Sequence, residues 1–440
     1  MPGVITYGRG IAALPRSLSP LRHRPFALLW SGAFTSNIGT WMETVAVGIL
    51  VQTSTNKATW SGLVLAAGFA PNGLLGPIGG ALADRVPRRL LLLTTTSVQT
   101  ALAGTLAALA AFGKPAPGIV VLIVFLSGCA NAIGFPAYQA LLPDLVPVED
   151  LAGAVALSSA QWNLGRVIGP ALAGVVIAAG SYASAFTINT ISFFAVIFVL
   201  LSLRLPPPEP EGHAPLLQSI RAGVRFGNDD PGLRVAFAVL GFAAFLAAPF
   251  IALVPAFGDK VFHDATTGTA ALVTAQGIGA VVMGLALGPL HARLGNRRTL
   301  LGAATLLPFA LVGYASAPSL WLGVLGIAFV GFLYLGVLSS CTTIAQLRTP
   351  TYIRGRVLSL LMALLGILYP IGTIAQGALG DGVGLRETTI GAAALFLVAV
   401  VALRMTARAW LARLDDETTS ITDTPVPATE TATGDAVTPA

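Results

Sequence analysis

The sequence predicts an all-α membrane protein whose twelve transmembrane helices form two pseudo-symmetric six-helix bundles. Of its 440 residues, 55% are hydrophobic and only 10% are charged, whereas soluble domains carry about 25% charged residues. Such a chain has too few polar residues to cover a surface in water. Apolar runs long enough to cross a bilayer recur along it, and a short basic motif between two of these runs occurs twice.

The basic motif marks an internal duplication. The stretch GGALADRVPRR runs from Gly79 to Arg89, and the weaker copy GPLHARLGNRR runs from Gly288 to Arg298. In each copy a glycine, Gly80 or Gly288, precedes an arginine by five residues, and the two glycines lie 208 residues apart. Each half of the chain is therefore predicted to carry a basic elbow between two membrane helices.

The apolar runs predict six helices in each half. The predicted spans of the first half are Phe26–Val51, Ser61–Ala83, Leu90–Phe112, Gly118–Leu142, Leu151–Ala179 and Ser184–Leu203. Those of the second half are Leu233–Phe257, Gly268–Leu290, Thr299–Tyr314, Ser319–Ala345, Gly355–Leu379 and Glu387–Arg404. The predicted domains are an N-terminal bundle over residues 1–204, a cytoplasmic linker over 205–232, a C-terminal bundle over 233–410 and a disordered cytoplasmic tail over 411–440.

The linker and the tail differ from the bundles in composition. Prolines cluster at the start of the linker and disfavour regular structure, while the stretch from Leu216 to Phe226 predicts a short amphipathic helix on the inner membrane surface. The tail is rich in threonine, alanine, proline and acids and has almost no large apolar residue, which is typical of disorder.

Basic residues predict the orientation, because they concentrate on the cytoplasmic side of membrane proteins. With both termini inside, the cytoplasmic segments hold 20 of the 25 arginines and lysines, the outer loops hold 4, and Arg166 lies within a helix. The first apolar run is too long for the core of a cleavable signal peptide. We therefore expect a multi-pass protein of the plasma (inner) membrane with both termini in the cytoplasm.

Two ionisable residues, Glu43 and Arg166, lie well inside predicted spans. A charge in hydrocarbon costs at least ~2.5–3.5 kcal/mol on insertion scales, so such a residue usually faces a cavity or a partner. Glu43 shares a polar arc of the first helix with Ser36, Asn37, Thr40 and Thr44, and Arg166 shares a face of the fifth helix with Ser159 and Asn163. This pattern is typical of helices that line an aqueous pathway.

Glu43 and Arg166 are candidates for proton coupling. Glu43 lies eight residues and Arg166 thirteen residues from the outer ends of their spans, and helix tilt and a long side chain can close the axial offset of ~8 Å. Burial opposes ionisation of a carboxyl and a nearby cation favours it, so a balance between them suits a group that loads and releases protons. The alternatives are a fixed ion pair or a neutral glutamic acid that only holds helices together.

Two motifs are candidates for conformational change. At the basic elbow, Asp84 can bond a helix N-terminus or an arginine and so act as a latch, whereas the alternative is a loop whose charges only set topology. In the fifth helix the pair Gly169-Pro170 predicts a kink, and the neighbouring small residues allow another helix to approach closely. An ordinary membrane-helix kink is the alternative there.

Polar and aromatic residues of the spans are candidates for a substrate cavity, although each alone is more typical of an interhelical hydrogen bond or of packing. They are Asn37, Thr40, Trp41, Asn131, Tyr138, Gln139, Asn163, Gln276, Tyr334 and Tyr369. Both cysteines fall inside apolar runs and the four histidines lack ligand spacing, so we expect no disulfide, metal or cofactor. The spans carry no HExxH pair and no nucleophile–base arrangement, so we do not expect an enzyme.

Two motifs resemble those of a known family. The basic elbow resembles the loop between helices 2 and 3 of the major facilitator superfamily, with Gly80, Asp84, Arg85, Arg88 and Arg89 in the motif positions and Pro87 in place of a glycine. The stretch GRVIGPALAG is similar to the fifth-helix motif of the superfamily's antiporters, with matches at Gly165, Gly169, Pro170 and Gly174. The stretch QLRTPTYIRGRVLSL resembles the branch that holds bacterial drug/proton antiporters and the enterobactin exporter, although the fourth helix lacks the arginine that many drug antiporters carry.

This resemblance implies two bundles that rock about a central site near the bilayer midplane in an alternating-access cycle. It implies a proton-coupled exporter of a small amphipathic molecule, such as a drug, a siderophore or a metabolite. A proton-independent uniporter or importer is the alternative, and a non-transporting receptor is a third reading. The expected partners are a small-molecule substrate, protons and the lipid bilayer, with no nucleic acid and a monomeric state.

Overall fold

The computed structural model describes residues 16–203, 216–407, 410, 411 and 414. Over these residues the chain is almost entirely helical and contains no β-strand. A 3₁₀ helix, Arg16–Arg22, precedes the first membrane helix. The helices of the first half are α1 (Arg24–Thr55), α2 (Ala58–Ala83), α3 (Arg88–Phe112), α4 (Pro117–Leu145), α5 (Val148–Ala179) and α6 (Tyr182–Ser202).

The second half contains one interrupted helix and one very long one. The linker helix α7 (Leu216–Asp229) precedes it. The helices α8 (Pro231–Phe242) and α9 (Phe250–Ala256) form a single span, Pro231–Val261, with π-helical segments at Ala243–Ala247 and Phe257–Val261. The remaining helices are α10 (Thr267–Ala315), α11 (Leu320–Arg348), α12 (Thr351–Val383) and α13 (Leu385–Thr406).

The prediction of twelve spans in two sets of six is confirmed. In the described part of the chain, ten segments are long and apolar enough to cross a membrane. One of them is α10, whose 49 residues are more than twice the ~20 that a bilayer needs. Gly295 breaks α10 with a φ of 79°, so it supplies two spans joined at the second basic elbow. The twelfth span is α1, which is more polar because it carries Glu43 and its polar arc.

The two halves meet along two helix pairs. Within the first half, α1 packs against both α5 and α6, while α2 packs on α4 and α3 packs on α6. Within the second half, α10 packs on α11 and α13. Between the halves the extensive contacts are those of α2 with α12 and of α5 with α10. These four helices therefore frame the space between the bundles.

The linker helix is longer than predicted and packs on the second half. Gly223 lets α7 approach α12, because an added Cβ there would lie 3.0 Å from Leu360. Asp230 ends this helix and caps α8, accepting from the backbone N–H of Leu233 at 2.8 Å, and it also forms a bidentate ion pair with Arg348. The membrane-surface position of α7 and the predicted domain boundaries stay predictions. The start of the linker and nearly all of the predicted tail lie outside the described residues.

A glutamine of α12 completes the first π-helical segment. The wider turn there leaves carbonyl groups without their usual helical donors. The Nε2 of Gln376 donates to the carbonyl oxygens of Phe245 and Leu246 at 3.1 and 3.0 Å. Gly372, one turn earlier, allows this approach because an added Cβ would clash with the Phe245 carbonyl oxygen. α12 is therefore fixed to the interrupted span by polar as well as apolar contacts.

We predict that Gln376→Leu destabilises the protein, because both carbonyl oxygens lose their side-chain donor. An interhelical hydrogen bond in a membrane protein contributes about 1–2 kcal/mol, so the midpoint of thermal unfolding in detergent should fall. Gln346→Leu is the control, since Gln346 is exposed on α11. Equal midpoints for the two variants would contradict the assignment.

Candidate functional site

The halves touch along a glycine face of α2 that is only partly covered. Gly62, Gly73 and Gly80 lie within ~20° of one another around the helix at 100° per residue. An added Cβ at Gly62 would clash with the carbonyl of Thr373, and one at Gly73 would lie 2.9 Å from the Cα of Gly366. At Gly80 an added Cβ would meet nothing within 4 Å. The two helices therefore diverge, and α2 loses contact with α12 between Gly73 and Gly80.

The matching face of α12 separates in the same direction. An added Cβ at Gly377 would lie 2.8 Å from the carbonyl oxygen of Ala58, whereas one at Gly355, on the same side of α12, would meet nothing within 4 Å. The helix ends that carry Arg85, Arg88 and Arg354 form what we call the basic face. A cleft thus opens toward the basic face and closes toward the opposite face.

A carboxylate bonded across the halves closes the opposite face. Asp381, near the end of α12, accepts from the backbone N–H groups of Ala58 and Thr59 at 2.7 and 2.9 Å and from the Thr59 hydroxyl at 2.6 Å. These N–H groups belong to the first turn of α2, where a negative charge is favoured by the helix dipole. Lys260 of the second half adds an ion pair to the same carboxylate at 3.3 Å.

A second bond crosses the halves at the same level. Gln52 of α1 donates through Nε2 to Asp259 at 3.1 Å, and its Oε1 accepts from the Ser61 hydroxyl at 3.2 Å. We refer to Gln52, Thr59, Asp259, Lys260 and Asp381 as the polar clasp. Each of its bonds between the halves lies at the face opposite the cleft opening.

The fifth-helix motif places α5 directly on α1. An added Cβ at Gly169 would lie 2.6 Å from the Cβ of Trp41 and 2.7 Å from the carbonyl oxygen of Ile38. An added Cβ at Gly165 would lie 3.1 Å from the Cβ of Asn37. At the other side of α5, an added Cβ at Gly174 would lie 2.7 Å from the Cβ of Ala270 on α10. The motif glycines therefore serve contacts both within the first half and between the halves. Pro170 is buried inside α5.

Glu43 lies on the side of α1 that faces α6. It is half-buried and accepts a hydrogen bond of 2.6 Å from Nδ2 of Asn189. Asn189 is 1% exposed, and Oδ1 of its amide accepts from the hydroxyl of Ser192 at 3.2 Å. Gly39 provides the room for this group, because an added Cβ would lie 2.5 Å from both Asn189 Oδ1 and Ser192 Oγ. A carboxyl and an amide thus share one hydrogen bond in the α1–α6 interface.

Arg166 lies on the other side of α1 and does not meet Glu43. Its guanidinium carbon is 5.7 Å from the centre of the Trp41 ring, and Trp41 contacts Trp162 edge-on with ring centres 5.6 Å apart. Among the described residues, no carboxylate oxygen lies within 4.0 Å of this guanidinium. Two residues along a helix correspond to ~200° of rotation, so Trp41 and Glu43 face opposite ways.

Two tyrosines of the second half complete the surroundings of Arg166. Tyr334 of α11 and Tyr369 of α12 lie close enough to interact electrostatically with the guanidinium, and they are only 7% and 6% exposed. Each is held edge-on by a phenylalanine: Phe250 contacts Tyr334 with ring centres 5.9 Å apart, and Phe69 contacts Tyr369 at 5.2 Å. Arg166 therefore sits where walls from both halves converge.

The exposure of α5 indicates that this region is open to the cleft. Ser159 and Trp162 are exposed and share a face with Arg166. The opposite side of the same helix carries the exposed apolar residues Leu164 and Val175. A membrane helix with one polar and one apolar exposed face borders water on one side and lipid on the other.

The remaining cavity candidates make mostly local or interhelical bonds. Asn131 donates to Oδ1 of Asn72 at 3.3 Å, Gln161 donates to Tyr138 at 3.4 Å, and Asn163 donates to the carbonyl of Ser159 at 2.8 Å. The Thr40 carbonyl accepts from Thr44, Gln139 is exposed, and the buried Gln276 carries an Nε2 without an acceptor in the described part of the chain. Their contact with a substrate stays a prediction.

The basic elbow is tied to its own half. Arg88 donates to Asp144 at 2.6 Å and to the carbonyl of Ala140 at 3.0 Å, and Arg89 donates to the carbonyl of Leu201 at 2.7 Å. Arg85 is exposed, and Asp84 ends α2 in a half-buried position. These bonds hold α3 to α4 and α6, so the elbow moves with the first half. The latch role of Asp84 stays a prediction.

Sequence reasoning missed the residues whose partners lie in another helix. Asn189 was one polar residue among many, and Asp381 gave a weak signal as an acid among glycines at a helix end. Their importance follows from the helices that pack beside them, which local patterns do not specify.

Comparison with known proteins points to exporters. The profile of the transmembrane secretion effector family matches residues 15–433. The chain is 30% identical over 375 residues to the enterobactin exporter EntS of Shigella boydii, an alignment that covers 84% of this chain and 85% of that protein. It is 27% identical over 398 residues to the multidrug efflux pump Tap of Mycolicibacterium fortuitum, covering 86% and 95% of the two chains.

Solved structures match the fold. A bacterial homologue of the human lysosomal transporter Spinster, in an inward-facing and occupied conformation, superposes with a TM-score of 0.72 at 13% identity, covering 90% of this chain and 99% of that one. The nucleoside transporter NupG superposes with a TM-score of 0.67 at 13% identity, covering 88% and 98%. At these identities the likeness concerns the fold alone, and it confirms the predicted transporter architecture.

We predict that Gly169→Ala disturbs the aromatic pair beside Arg166. The new methyl group has to displace Trp41 or the backbone of α1, and overpacking of this kind costs about 1–3 kcal/mol. Near-ultraviolet circular dichroism should report the altered environment of the two indoles. Gly313→Ala is the matched control, since an added Cβ at Gly313 meets nothing within 4 Å. A spectrum that is unchanged in both variants would contradict the packing described here.

Proposed function

Because the chain belongs to the transmembrane secretion effector family of the major facilitator superfamily, we propose that it is a proton-coupled exporter that works by alternating access. The observation that supports this proposal is a cleft that opens at one face, is closed by the polar clasp at the other, and has on its wall the half-buried Arg166, which forms no ion pair with the described residues. The exporters to which it is similar, for enterobactin and for several drugs by their names, support the outward direction. We infer a small amphipathic molecule as the substrate.

The basic face is the cytoplasmic face in this proposal. Arginines concentrate there, as they do on the cytoplasmic side of membrane proteins in general, and both ends of the chain then lie in the cytoplasm. The conformation described here is accordingly the one that loads substrate from inside the cell. Export requires the clasp to part and the glycine faces beyond Gly73 and Gly366 to close. The protein acts as a monomer in the lipid bilayer.

Coupling runs through α1 and not through an ion pair. Glu43 contacts α6 and Trp41 contacts α5, so one helix connects the candidate proton group with the surroundings of Arg166. Proton binding at Glu43 changes the charge that the amide of Asn189 faces, and a shift of α1 in response moves Trp41 against Arg166. The basic elbow and the fifth-helix motif act as hinge and packing elements in this scheme, with Asp84 as the latch of the outward-open state.

The energy available from protons is adequate for such a cycle. Proton entry down a potential of 100 mV yields ~2.3 kcal/mol per charge before any pH gradient is added. An importer or a uniporter that needs no proton is the competing proposal. It predicts substrate movement that does not respond to an uncoupler.

We predict that Glu43→Gln abolishes uphill efflux, because the amide cannot exchange a proton while it keeps the size and the hydrogen-bonding capacity of the carboxyl. The substrate is first identified from a compound panel as a molecule that accumulates less in cells that produce the protein. The measurement is uptake of that molecule into proteoliposomes under an imposed pH gradient. Downhill exchange between substrate pools should persist.

Glu149→Gln is the control for this experiment, since Glu149 is exposed at the start of α5. Full proton-driven uptake by Glu43→Gln would remove Glu43 from the mechanism. An uptake rate of the wild type that does not depend on the pH gradient would favour the uniporter.

We predict that Asp381→Ala shifts the protein away from the cleft-open conformation. The first turn of α2 loses its cap and Lys260 loses its partner, which costs this state about 1–2 kcal/mol, or roughly a 5- to 30-fold change in the ratio of the two conformations. A cysteine at the exposed position Ser159 reports the cleft in a background with Cys129→Ala and Cys341→Ala. Its alkylation by an impermeant maleimide in inside-out vesicles should slow.

Asp264→Ala is the matched control, because Asp264 lies in the same outer region and makes no side-chain bond to α2 among the described residues. If Asp381→Ala leaves the alkylation rate at the control value, the polar clasp does not hold the opposite face closed.

A further inference from the structure

Two arginines that lie among the helices, the buried Arg348 and the half-buried Arg166, differ in one respect. Arg348 is 8% exposed and forms a bidentate pair with Asp230, whereas the guanidinium of Arg166 lies over the ring of Trp41 and forms no ion pair with the described residues. A charge inside a membrane span is unfavourable unless it meets a partner or a water-filled cavity. The surroundings of Arg166 are thus incomplete as they stand.

The missing group is an acceptor of hydrogen bonds. A guanidinium offers five N–H donors and accepts none, and no hydrogen bond from Arg166 to protein is formed among the described residues. The indole Nε1 of Trp41 is also buried and has no acceptor in the part of the chain that the structure describes. Glu43, the acid of α1, already accepts from Asn189 in the interface with α6. A positive charge and an unpaired donor therefore belong to two side chains that contact each other, and no anion of the described residues pairs with them.

The walls around these donors are aromatic. Trp162 is 42% exposed beside Trp41, and Tyr334 and Tyr369 of the second half lie within electrostatic reach of the guanidinium. Each tyrosine is fixed by edge-on contact with a phenylalanine, which limits the ways in which its ring can move. Aromatic rings that both halves supply favour a flat, polarisable ligand.

We propose that the substrate of this protein carries an aromatic body and a negatively charged group, and that Arg166 with the indole N–H of Trp41 binds that group. This inference rests on the proposed transport function and specifies the chemistry of its substrate. Arg166 acts as the anion anchor, and the exposed ring of Trp162 marks the entry from the cleft. A lipophilic cation would meet the guanidinium with no carboxylate to offset the repulsion.

Binding of three matched probes to purified protein in detergent tests the proposal without any proton gradient. The probes are 2-naphthoate, the neutral 2-naphthamide and the cationic 2-naphthylmethylammonium, measured by calorimetric titration. We expect saturable binding in the order anion, amide, cation. Arg166→Gln should weaken 2-naphthoate by about 10- to 100-fold, the usual strength of hydrogen bonds to a charged group, and should leave the amide nearly unchanged. Arg386→Gln, which alters an arginine bonded to the carbonyl of Ala317 away from the cleft, should change neither.

Trp41→Phe provides a second variant that keeps the ring and removes the indole N–H, and it decides the matter if Arg166→Gln does not fold. It should weaken 2-naphthoate several-fold and the amide less. No saturable binding of 2-naphthoate to the wild type, equal or tighter binding of the cation, or an anion affinity that is unchanged in a folded variant would overturn the proposal.

The binding experiment and the transport experiment test the two proposals separately. Glu43→Gln should still bind 2-naphthoate, so loss of proton coupling leaves this inference intact. Conversely, proton-driven export of cations alone, with no dependence on Arg166, would contradict the proposal of an anionic aromatic substrate. The proposal of a proton-coupled exporter would remain.

Discussion

The backbone contact between α2 and α12 is the constraint on which the rest of the structure depends. Membrane helices gain little from burying apolar surface against one another, because lipid is as apolar as their side chains. Close packing therefore has to supply the association, and glycine alone permits the approach of Gly73 to Gly366. Where that contact ends, the cleft begins. The polar clasp can form only because the same two helices converge at the opposite face.

α1 carries both Glu43, the candidate proton-binding residue, and Trp41, which contacts Arg166. Its neighbours α5 and α6 pack on different sides, at Gly169 and at Gly39 respectively. Trp41 and Glu43 are thereby committed to different interfaces although they are two residues apart. This separation keeps the carboxyl from neutralising Arg166 in the conformation described here. A direct ion pair would have occupied both groups and left neither to respond to a ligand or a proton.

The spans and the repeat were predictable from the sequence because hydropathy and basic motifs are local signals. The long α10 shows the limit, since Gly295 turns the chain without the polar loop that the second elbow suggested. The π-helical segments were not predictable either, because they depend on Gln376 from another helix. For the site, the polar arc of α1 made Glu43 a candidate, and its role in proton coupling stays a prediction. The axial positions of Glu43 and Arg166 did not specify which way each side chain points around its helix. The partner of Glu43 is therefore Asn189 and not Arg166.

The contrast between Arg348 and Arg166 distinguishes a structural charge from the charge to which we assign a function. Arg348 is held by Asp230 at the junction of α7 and α8, where a fixed geometry fastens the linker to the second half. Such a pair is complete, and a ligand would have to break it in order to bind. Arg166 lies where both halves converge and where exposed positions of α5 reach the cleft, and its donors are left open. An anion that fills them contacts walls from both bundles at once. Its binding free energy then depends on how the bundles are arranged, which is the condition for a ligand to shift a conformational equilibrium.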